Sequence, residues 1–331
     1  MGSSLGTAAT GSGYWPLDYA FGTQAKVQGT SIGQPVDTRS QFIGRLSVMN
    51  DSVLPSIVST HWLAARLDQV EVRVLDASWY LPSTGRDGRA EFLAGHIPGA
   101  RYFDLDEVSD DRTSLPHMLP TATRFAVQVG ALGVENDSTV VVYDGSGANL
   151  SAARAWWMFR AFGHERVAVL DGGSKKWMAE GRPTETGIPR VEPAVFTAKL
   201  HPGIVRTMDD VADALRSGSA QIVDMRSRGR FEGTDAEPRA GLPSGHMPGA
   251  MNLPYGTLVA PDGTLLPPDE LRQRIAGAGI RFDRPIIGSC GSGVSACALL
   301  LALDTLGVEG ATLYDGSWTE WVTKGGAIQT R

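Results

Sequence analysis

The chain repeats itself, and this internal duplication constrains its fold more than any other feature of the sequence. The string Gly95-His-Ile-Pro-Gly-Ala100 returns as Gly245-His-Met-Pro-Gly-Ala250, with five of six residues identical. An apolar run that ends in Asp76 is matched by another that ends in Asp224. The offset between matched positions stays near 144–150 residues. The sequence therefore predicts two copies of one domain.

Within each copy, short apolar segments alternate with segments of helical periodicity. Residues 139–143 and 285–289 are apolar and strand-like, and residues 151–162 and 294–306 follow them with a helical pattern. Such alternation is typical of a parallel sheet covered by helices on both faces. We therefore expect an α/β fold of two tandem duplicated domains, and a chain of 331 residues is long enough to hold both.

Breaks in the pattern place the domain boundaries. We predict a flexible extension over residues 1–52, a first domain over 53–182, a linker over 183–200 and a second domain over 201–331. The linker is rich in Pro, Glu and Thr, which disfavour continued helix or strand. Thr207 is expected to cap the first helix of the second domain.

Charge and hydropathy exclude several classes of function. The formal charge is −6, with no long basic run, so neither nucleic acid nor an anionic membrane is expected as a partner. The longest apolar stretch, 294–303, is far too short to span a bilayer. A scarcity of cysteine favours a reducing compartment, and we expect the cytoplasm, or the mitochondrion if residues 1–52 are a transit peptide.

Two cysteines, Cys290 and Cys297, lie seven residues apart in the sequence. We expect them on one helix, too far apart for a disulfide bond. Without a neighbouring pattern of His or acidic ligands they predict no metal site. Cys297 follows the helical pattern of its leucine neighbours and is expected in the core.

The duplication also helps to separate structural residues from chemical ones. His96 and His246 occupy matched positions, as do Asp171 and Asp315. We interpret both pairs as structural, the aspartates as turn residues. Cys290 has no such counterpart, because Asp144 stands at its place in the first copy. Only one copy carries a nucleophile.

Small residues surround Cys290 where a predicted strand meets a predicted helix. The segment Gly288-Ser-Cys-Gly-Ser-Gly-Val-Ser295 can curl so that successive backbone N–H groups point inward and cradle an anion. A sulfur at the centre of that cradle is favoured as the thiolate, and a persulfide would be held in the same way. The alternative is a buried structural cysteine at a tight turn.

Three other nucleophile or anion loops fit this segment poorly. A cysteine phosphatase needs an arginine at the sixth residue after the cysteine, where this chain has Ala296. A cysteine hydrolase needs a later histidine as its base, and none follows His246. A phosphate-binding P-loop needs a lysine that the segment lacks.

Over about residues 55–325 the chain resembles the two-domain rhodanese superfamily. Within that superfamily, thiosulfate-preferring members look like Cys-Arg-Lys-Gly-Val-Thr, whereas Gly291 and Ser292 are uncharged here. The sequence is therefore similar to the mercaptopyruvate branch, in which the last position of the loop, Ser295 in this chain, is usually Thr. The resemblance rests on the strings Leu75-Asp-Ala-Ser-Trp-Tyr-Leu-Pro82, His117-Met-Leu-Pro120, Trp156-Trp-Met-Phe-Arg-Ala-Phe-Gly-His164, Glu237-Pro-Arg239, Cys290-Gly-Ser-Gly-Val294 and Tyr314-Asp-Gly-Ser-Trp318.

The resemblance implies a role for individual residues. It implies that Cys290 accepts sulfur as a persulfide, and that Arg230 and Arg239 grip the carboxylate and keto oxygen of the donor. We expect both arginines in a loop, with plain surface charge as the alternative. Ser292 and Asp106 are implied to move a proton. The remaining loop positions, which would shape the donor site, are Gly291, Gly293, Val294 and Ser295.

His117 is implied to complete the proton relay from the first domain, and a core or domain-interface histidine is the alternative. Asp106 has its own alternative as an ordinary surface acid. The implied reaction moves sulfur from the mercapto-acid 3-mercaptopyruvate to a thiol or cyanide and releases pyruvate, with no metal or organic cofactor. The acceptor would be a protein thiol such as thioredoxin, or a small thiol. Two other functions stay open: a thiosulfate–cyanide sulfurtransferase, and a non-catalytic persulfide relay.

Overall fold

Two parallel sheets of five strands each organise the chain. The computed structural model describes residues 54–331, so the predicted extension over 1–52 lies outside the described residues. Along the first sheet the strands are Ile57–Val58, Val167–Leu170, Thr139–Tyr143, Val72–Asp76 and Arg101–Tyr102. Along the second they are Val205–Arg206, Thr312–Tyr314, Ile286–Ser289, Gln221–Asp224 and Met251–Asn252, which is the same order once each strand is matched to its counterpart. Every pairing within the two sheets is parallel. The prediction of two duplicated α/β domains is confirmed; the exact domain bounds stay predictions.

Helices cover both sheets. The first half contains β1 (Ile57–Val58), α1 (Thr60–Ala64), β2 (Val72–Asp76), α2 (Gly88–Ala94), β3 (Arg101–Tyr102), α3 (Leu105–Val108), α4 (Ala122–Ala131), β4 (Thr139–Tyr143), α5 (Leu150–Ala161), β5 (Val167–Leu170) and α6 (Gly173–Ala179). The second half contains β6 (Val205–Arg206), α7 (Met208–Ser217), β7 (Gln221–Asp224), α8 (Arg228–Glu232), β8 (Met251–Asn252), α9 (Pro268–Gly277), β9 (Ile286–Ser289), α10 (Ala296–Thr305), β10 (Thr312–Tyr314) and α11 (Ser317–Thr323). No helix within residues 54–331 has the length and apolar character that crossing a membrane requires.

The local sequence explains the main elements. Every residue of β4 and of β9 is buried, as expected for central strands covered on both faces. Helix α7 begins with a capping box, in which Thr207 and Asp210 each accept a hydrogen bond from the other's backbone N–H. This confirms the predicted cap at Thr207, which satisfies N–H groups that the first helical turn leaves free.

Helices α5 and α10 join the two halves. Ten of the twelve residues of α5 and eight of the ten residues of α10 are buried. A helix that is apolar on all sides must be covered on all sides, and these two pack on their own sheets and on each other. Their side chains belong to one continuous apolar core that extends through both halves.

Each half also extends a loop against the other. The N–H of Leu119 donates to Asp315 Oδ2 at 2.7 Å, and the N–H of Leu265 donates to Asp171 Oδ1 at 2.8 Å. The two contacts mirror each other, as the two sides of a twofold interface do. The aspartates interpreted as turn residues therefore have a second role, because each one holds the loop of the opposite half.

The two loops share an unusual backbone conformation. Two residues before each leucine stand His117, with a φ of 59°, and Gly263, with a φ of 84°. Left-handed backbone suits glycine and strains other residues. The first half therefore places a histidine where its counterpart uses the residue that fits without strain.

Candidate active site

Cys290 lies in a loop between the end of β9 and the start of α10. The expectation that Cys290 and Cys297 share one helix is wrong, because the chain makes a tight turn through Gly293 before the helix begins. Cys297 lies inside the helix and is fully buried, as predicted. Its thiol donates to the carbonyl oxygen of Gly293, and burial raises its pKa well above the usual range.

Ser317 holds the cysteine loop in place through hydrogen bonds to its backbone. Its hydroxyl oxygen accepts the N–H groups of Cys290 and Gly293, both at 3.1 Å, and donates to the carbonyl of Tyr314 at 2.8 Å. Like His117, Ser317 has a left-handed backbone, with a φ of 49°. At Gly293, with a φ of 73°, a Cβ atom would lie 2.7 Å from the carbonyl oxygen of Asp315, so only glycine fits there.

The predicted amide cradle is present in part. Cys290 and Gly293 direct their N–H groups to Ser317. Within residues 54–331, by contrast, the N–H groups at positions 291, 292, 294 and 295 have no hydrogen-bond acceptor. Free N–H groups that flank a sulfur can stabilise negative charge on it.

Cys290 lies at the floor of a cavity of about 260 Å³ between the two halves. Only 2% of the residue is exposed, and within residues 54–331 this cavity provides an approach to it. The first half contributes Trp79, Tyr80 and Arg86 to the walls. The predicted site residues in the lining are Arg230, Arg239, Gly291, Ser292, Val294 and Ser295.

The two predicted arginines lie side by side above the cysteine loop. A Cβ atom at Gly291 would lie 3.1 Å from Arg230 Nη2 and 3.6 Å from Arg239 Nη1. Burial lowers the pKa of Arg239, and the neighbouring Cys290 opposes this effect. The expectation of a loop holds for Arg239 but is wrong for Arg230, which lies on the short helix α8. Flanking glycines hid this helix from the sequence pattern.

A chain of hydrogen bonds runs from the cysteine loop into the first half. Ser292 Oγ lies 3.0 Å from His117 Nδ1, and His117 Nε2 lies 3.1 Å from Asp106 Oδ1. Trp79 Nε1 donates to the other Asp106 oxygen at 2.9 Å, and Arg239 Nη2 donates to Ser292 Oγ at 3.2 Å. The structure thus brings together three predicted residues from both halves.

The pKa values define the direction of these hydrogen bonds. Burial lowers the pKa of His117, although the hydrogen bond to Asp106 partly opposes this. The same hydrogen bond lowers the pKa of Asp106. A neutral His117 beside an ionised Asp106 must donate from Nε2, because a carboxylate only accepts. Nδ1 is then free to accept the proton of the Ser292 hydroxyl.

Sequence reasoning missed the group that anchors His117. Arg154 of α5 is fully buried, and its Nη2 donates to the carbonyl oxygen of His117 at 2.5 Å. Its Nη1 lies 2.7 Å from Asp315 Oδ1 and donates to the Gly293 carbonyl at 3.3 Å. One guanidinium therefore contacts both the histidine loop and the cysteine loop. The available signal was a charge at position 154, in the part of the helix whose neighbouring residues are small or apolar.

The matched histidines lie away from the cavity, as their duplication suggested. His96 stacks on Phe92, with ring centroids 4.1 Å apart, and bonds its carbonyl oxygen. His246 stacks on Phe231 at 3.8 Å and bonds the carbonyl of that residue. Within the described part of the chain, no cluster of three or more His, Cys, Asp or Glu side chains is arranged to hold a metal.

Comparison with known proteins identifies the same two halves. The model of the Rhodanese-like domain matches residues 59–180 and again 207–324. The chain is 41% identical to thiosulfate/3-mercaptopyruvate sulfurtransferase 1, mitochondrial, from Arabidopsis thaliana, over 97% of this chain and 87% of that protein. It is 43% identical to 3-mercaptopyruvate sulfurtransferase from Rattus norvegicus, over 80% of this chain and 91% of that protein.

Solved structures agree with the sequence comparisons. The crystal structure of SseA from Escherichia coli, described as a 3-mercaptopyruvate sulfotransferase with the rhodanese fold, superposes with a TM-score of 0.74. The identity is 42%, and the match covers 80% of this chain and 99% of SseA. The likeness therefore extends over both halves, and the second match to the family model, residues 207–324, contains the cysteine loop.

Proposed function

The chain is a sulfurtransferase of the rhodanese family, and from this premise we propose that it takes sulfur from 3-mercaptopyruvate through a persulfide on Cys290. The observation that carries the proposal is the pair Arg230 and Arg239 beside an uncharged cysteine loop. Two guanidinium groups suit a carboxylate and a neighbouring keto oxygen, which they can bind through several N–H groups.

In the first half-reaction the Cys290 thiolate attacks the sulfur of the bound donor. A sulfur–sulfur bond forms and the carbon–sulfur bond breaks, so the electron pair moves onto the carbon and delocalises to oxygen as the enolate of pyruvate. Arg230 and Arg239 stabilise that developing negative charge. His117 takes the proton of the donor thiol through Ser292, with Asp106 stabilising the charged imidazole, and the same proton returns through Ser292 to the enolate carbon, so that the persulfide is left as its anion.

In the second half-reaction an acceptor attacks the outer sulfur of the persulfide. A thiolate acceptor forms a new sulfur–sulfur bond and Cys290 leaves as the thiolate, following the chemistry of thiol–disulfide exchange. Cyanide would take the sulfur in the same way, as thiocyanate. We propose a small thiol or a thioredoxin-like protein thiol as the acceptor, and this step needs no proton on carbon.

The same cavity could serve thiosulfate, and the name of the Arabidopsis relative includes that donor. Gly291 and Ser292 bring no positive charge to a dianion, however, so we propose mercaptopyruvate as the preferred donor. A persulfide relay without catalysis would not need Arg230 and Arg239. Alanine variants at both positions would still be loaded with sulfur by a partner.

The location of the protein belongs to the same proposal. Scarce cysteine supports a reducing compartment such as the cytoplasm. The mitochondrial relative supports the alternative. Fractionation of cells that produce the tagged chain would distinguish the two.

Two measurements test the proposed function. Cys290→Ser should abolish pyruvate release, and mass spectrometry of the unmodified protein should find one added sulfur on Cys290 after donor treatment. Cys297→Ala is the matched control and should still load sulfur. The unmodified protein should also prefer mercaptopyruvate over thiosulfate by at least tenfold in kcat/KM, or about 1.4 kcal/mol. Full activity of Cys290→Ser, or equal use of both donors, would contradict the proposal.

A further inference from the structure

We propose that Glu237 determines the donor charge that the cavity accepts, by cancelling the positive charge of Arg230. This inference rests on the proposed function, because it concerns the donor that reaches Cys290. It assigns discrimination between donors with one and two negative charges to a buried acid behind the arginine pair.

Glu237 is bound between two arginines. Its side chain is 2% exposed, and Oε1 accepts from Arg226 Nη1 at 2.8 Å and from Arg230 Nε at 3.0 Å. Oε2 accepts from Arg230 Nη2 at 2.5 Å. A buried carboxylate is stable as an ion when charged donors satisfy both of its oxygens in this way.

The charges of this group cancel. Arg226 is fully buried and is also bonded to Asp224, with contacts of 2.6–3.0 Å. The carboxylates of Asp224 and Glu237 therefore balance the guanidinium groups of Arg226 and Arg230. Arg230 still offers N–H groups to the cavity, but the cluster as a whole brings no net charge.

Arg239 is different. Among the described residues no carboxylate lies within 4.0 Å of its guanidinium group, which instead donates to the hydroxyl of Ser292. The acid on the other side of that serine, Asp106, is already bonded to His117 and Trp79. Asp106 keeps its negative charge, but among the described residues it does not pair directly with Arg239, so Arg239 is the one cation of the arginine pair without a bonded carboxylate.

A single cation without a bonded carboxylate matches mercaptopyruvate, whose carboxylate carries one negative charge, better than thiosulfate, which carries two. Inside a partly desolvated cavity each unmatched charge is costly. If Glu237 loses its charge, Arg230 becomes a second net cation. Because Coulomb energy is proportional to the charge of the ligand, a dianion gains more from that change than a monoanion.

The reaction with thiosulfate needs only the Cys290 thiolate and the positive charge that binds the donor. The Cys290 thiolate attacks the outer sulfur, the sulfur–sulfur bond of thiosulfate breaks, and sulfite leaves with the electron pair. No carbon is protonated, so the relay through His117 is not used. Donor charge is then the property that separates the two substrates at the arginine pair.

Three variants test the inference through one ratio, kcat/KM for thiosulfate divided by kcat/KM for mercaptopyruvate. Glu237→Gln removes the charge with little change of shape, and Glu237→Asp keeps the charge. Glu232→Gln is the matched control: Glu232 also joins two arginines, Arg228 at 2.7 Å and Arg331 at 2.5 Å, yet none of the three lines the cavity. A ratio within one protein preparation is insensitive to the fraction that is misfolded.

We expect Glu237→Gln to raise the ratio at least tenfold, and Glu237→Asp and Glu232→Gln to leave it within threefold of the unmodified protein. An unchanged ratio in Glu237→Gln would overturn the inference, and so would an equal rise in Glu237→Asp, which would indicate shape rather than charge. Failure of the proposed function is visible separately, as equal use of both donors by the unmodified protein.

Discussion

Replacing His117 with glycine would separate the chemical role of this residue from its structural cost. The histidine has a φ of 59°, where its counterpart in the other half, Gly263, has a φ of 84°. A non-glycine residue in this region costs about 1–2 kcal/mol. His117→Gly therefore releases strain at the same time as it removes the imidazole.

The stabilising interactions that His117→Gly removes are similar in free energy to the backbone strain that it releases. The imidazole makes hydrogen bonds to Ser292 and Asp106, each with a net contribution of about 1 kcal/mol. Glycine adds about 0.5–1 kcal/mol through the extra freedom of the unfolded chain. We therefore expect the free energy of unfolding to fall by only about 0.5–2 kcal/mol. Proton transfer by a positioned side chain contributes about 10²–10⁴-fold to a rate, so pyruvate release should fall by that factor.

Urea denaturation measures the stability, and rapid-mixing single turnovers measure the two half-reactions separately. Pyruvate release should fall at least a hundredfold, while cyanide attack on the preformed Cys290 persulfide should change less than threefold. His117→Asn is the matched variant, because asparagine tolerates left-handed backbone but cannot act as the base. If both half-reactions fell equally, or if stability fell by more than about 4 kcal/mol, His117 would be a structural residue and the reasoning would be refuted.

Three further predictions concern the surroundings of His117 and the two cysteines. Asp106→Asn removes the carboxylate that raises the pKa of His117 and so opposes the effect of burial. The pKa of His117 should then fall further, and the acid-side decline of kcat for pyruvate release should move to lower pH. A move to higher pH would contradict the assignment. Arg154→Leu leaves a buried carboxylate without its partner and should lower the free energy of unfolding by about 3–5 kcal/mol in urea titration; a loss below about 1 kcal/mol would indicate that the ion pair adds little. Iodoacetamide at pH 8 should alkylate Cys290 but not Cys297, because burial raises the pKa of Cys297. Peptide mapping of the treated native protein measures this, and alkylated Cys297 would contradict the prediction.

Local patterns in the sequence predicted the fold and the centre of the site. The duplicated strings, the apolar strands and the glycine-rich loop around Cys290 are each short segments of about ten residues or fewer. Within a segment of that length, the spacing of side chains indicates the local structure directly. The relay of Ser292, His117 and Asp106 could be named only through resemblance to a family. No local pattern indicates that residues 175 positions apart, as His117 and Ser292 are, share a hydrogen bond.

The pairing of buried charges was the part that the sequence did not predict, whether the partners are near in the chain or far apart. Glu237 was visible only as one letter of a motif, and its two arginine partners come from β7's following turn and from α8. Arg154 stands among apolar helix residues, and its partner Asp315 is contributed by the other half. A buried charge needs a specific partner, but the sequence does not tell which of the many candidate charges will be that partner.

The exchange of loops between the two halves has a consequence for how the enzyme is built. The copy without a cysteine supplies the proposed acid–base group His117, part of the cavity wall and the anchoring Arg154 for the copy that contains Cys290. Neither half on its own contains all of the proposed catalytic groups. Turnover therefore depends on how tightly the two halves pack together. A substitution at their interface would lower the activity of Cys290 without altering any group that contacts the substrate.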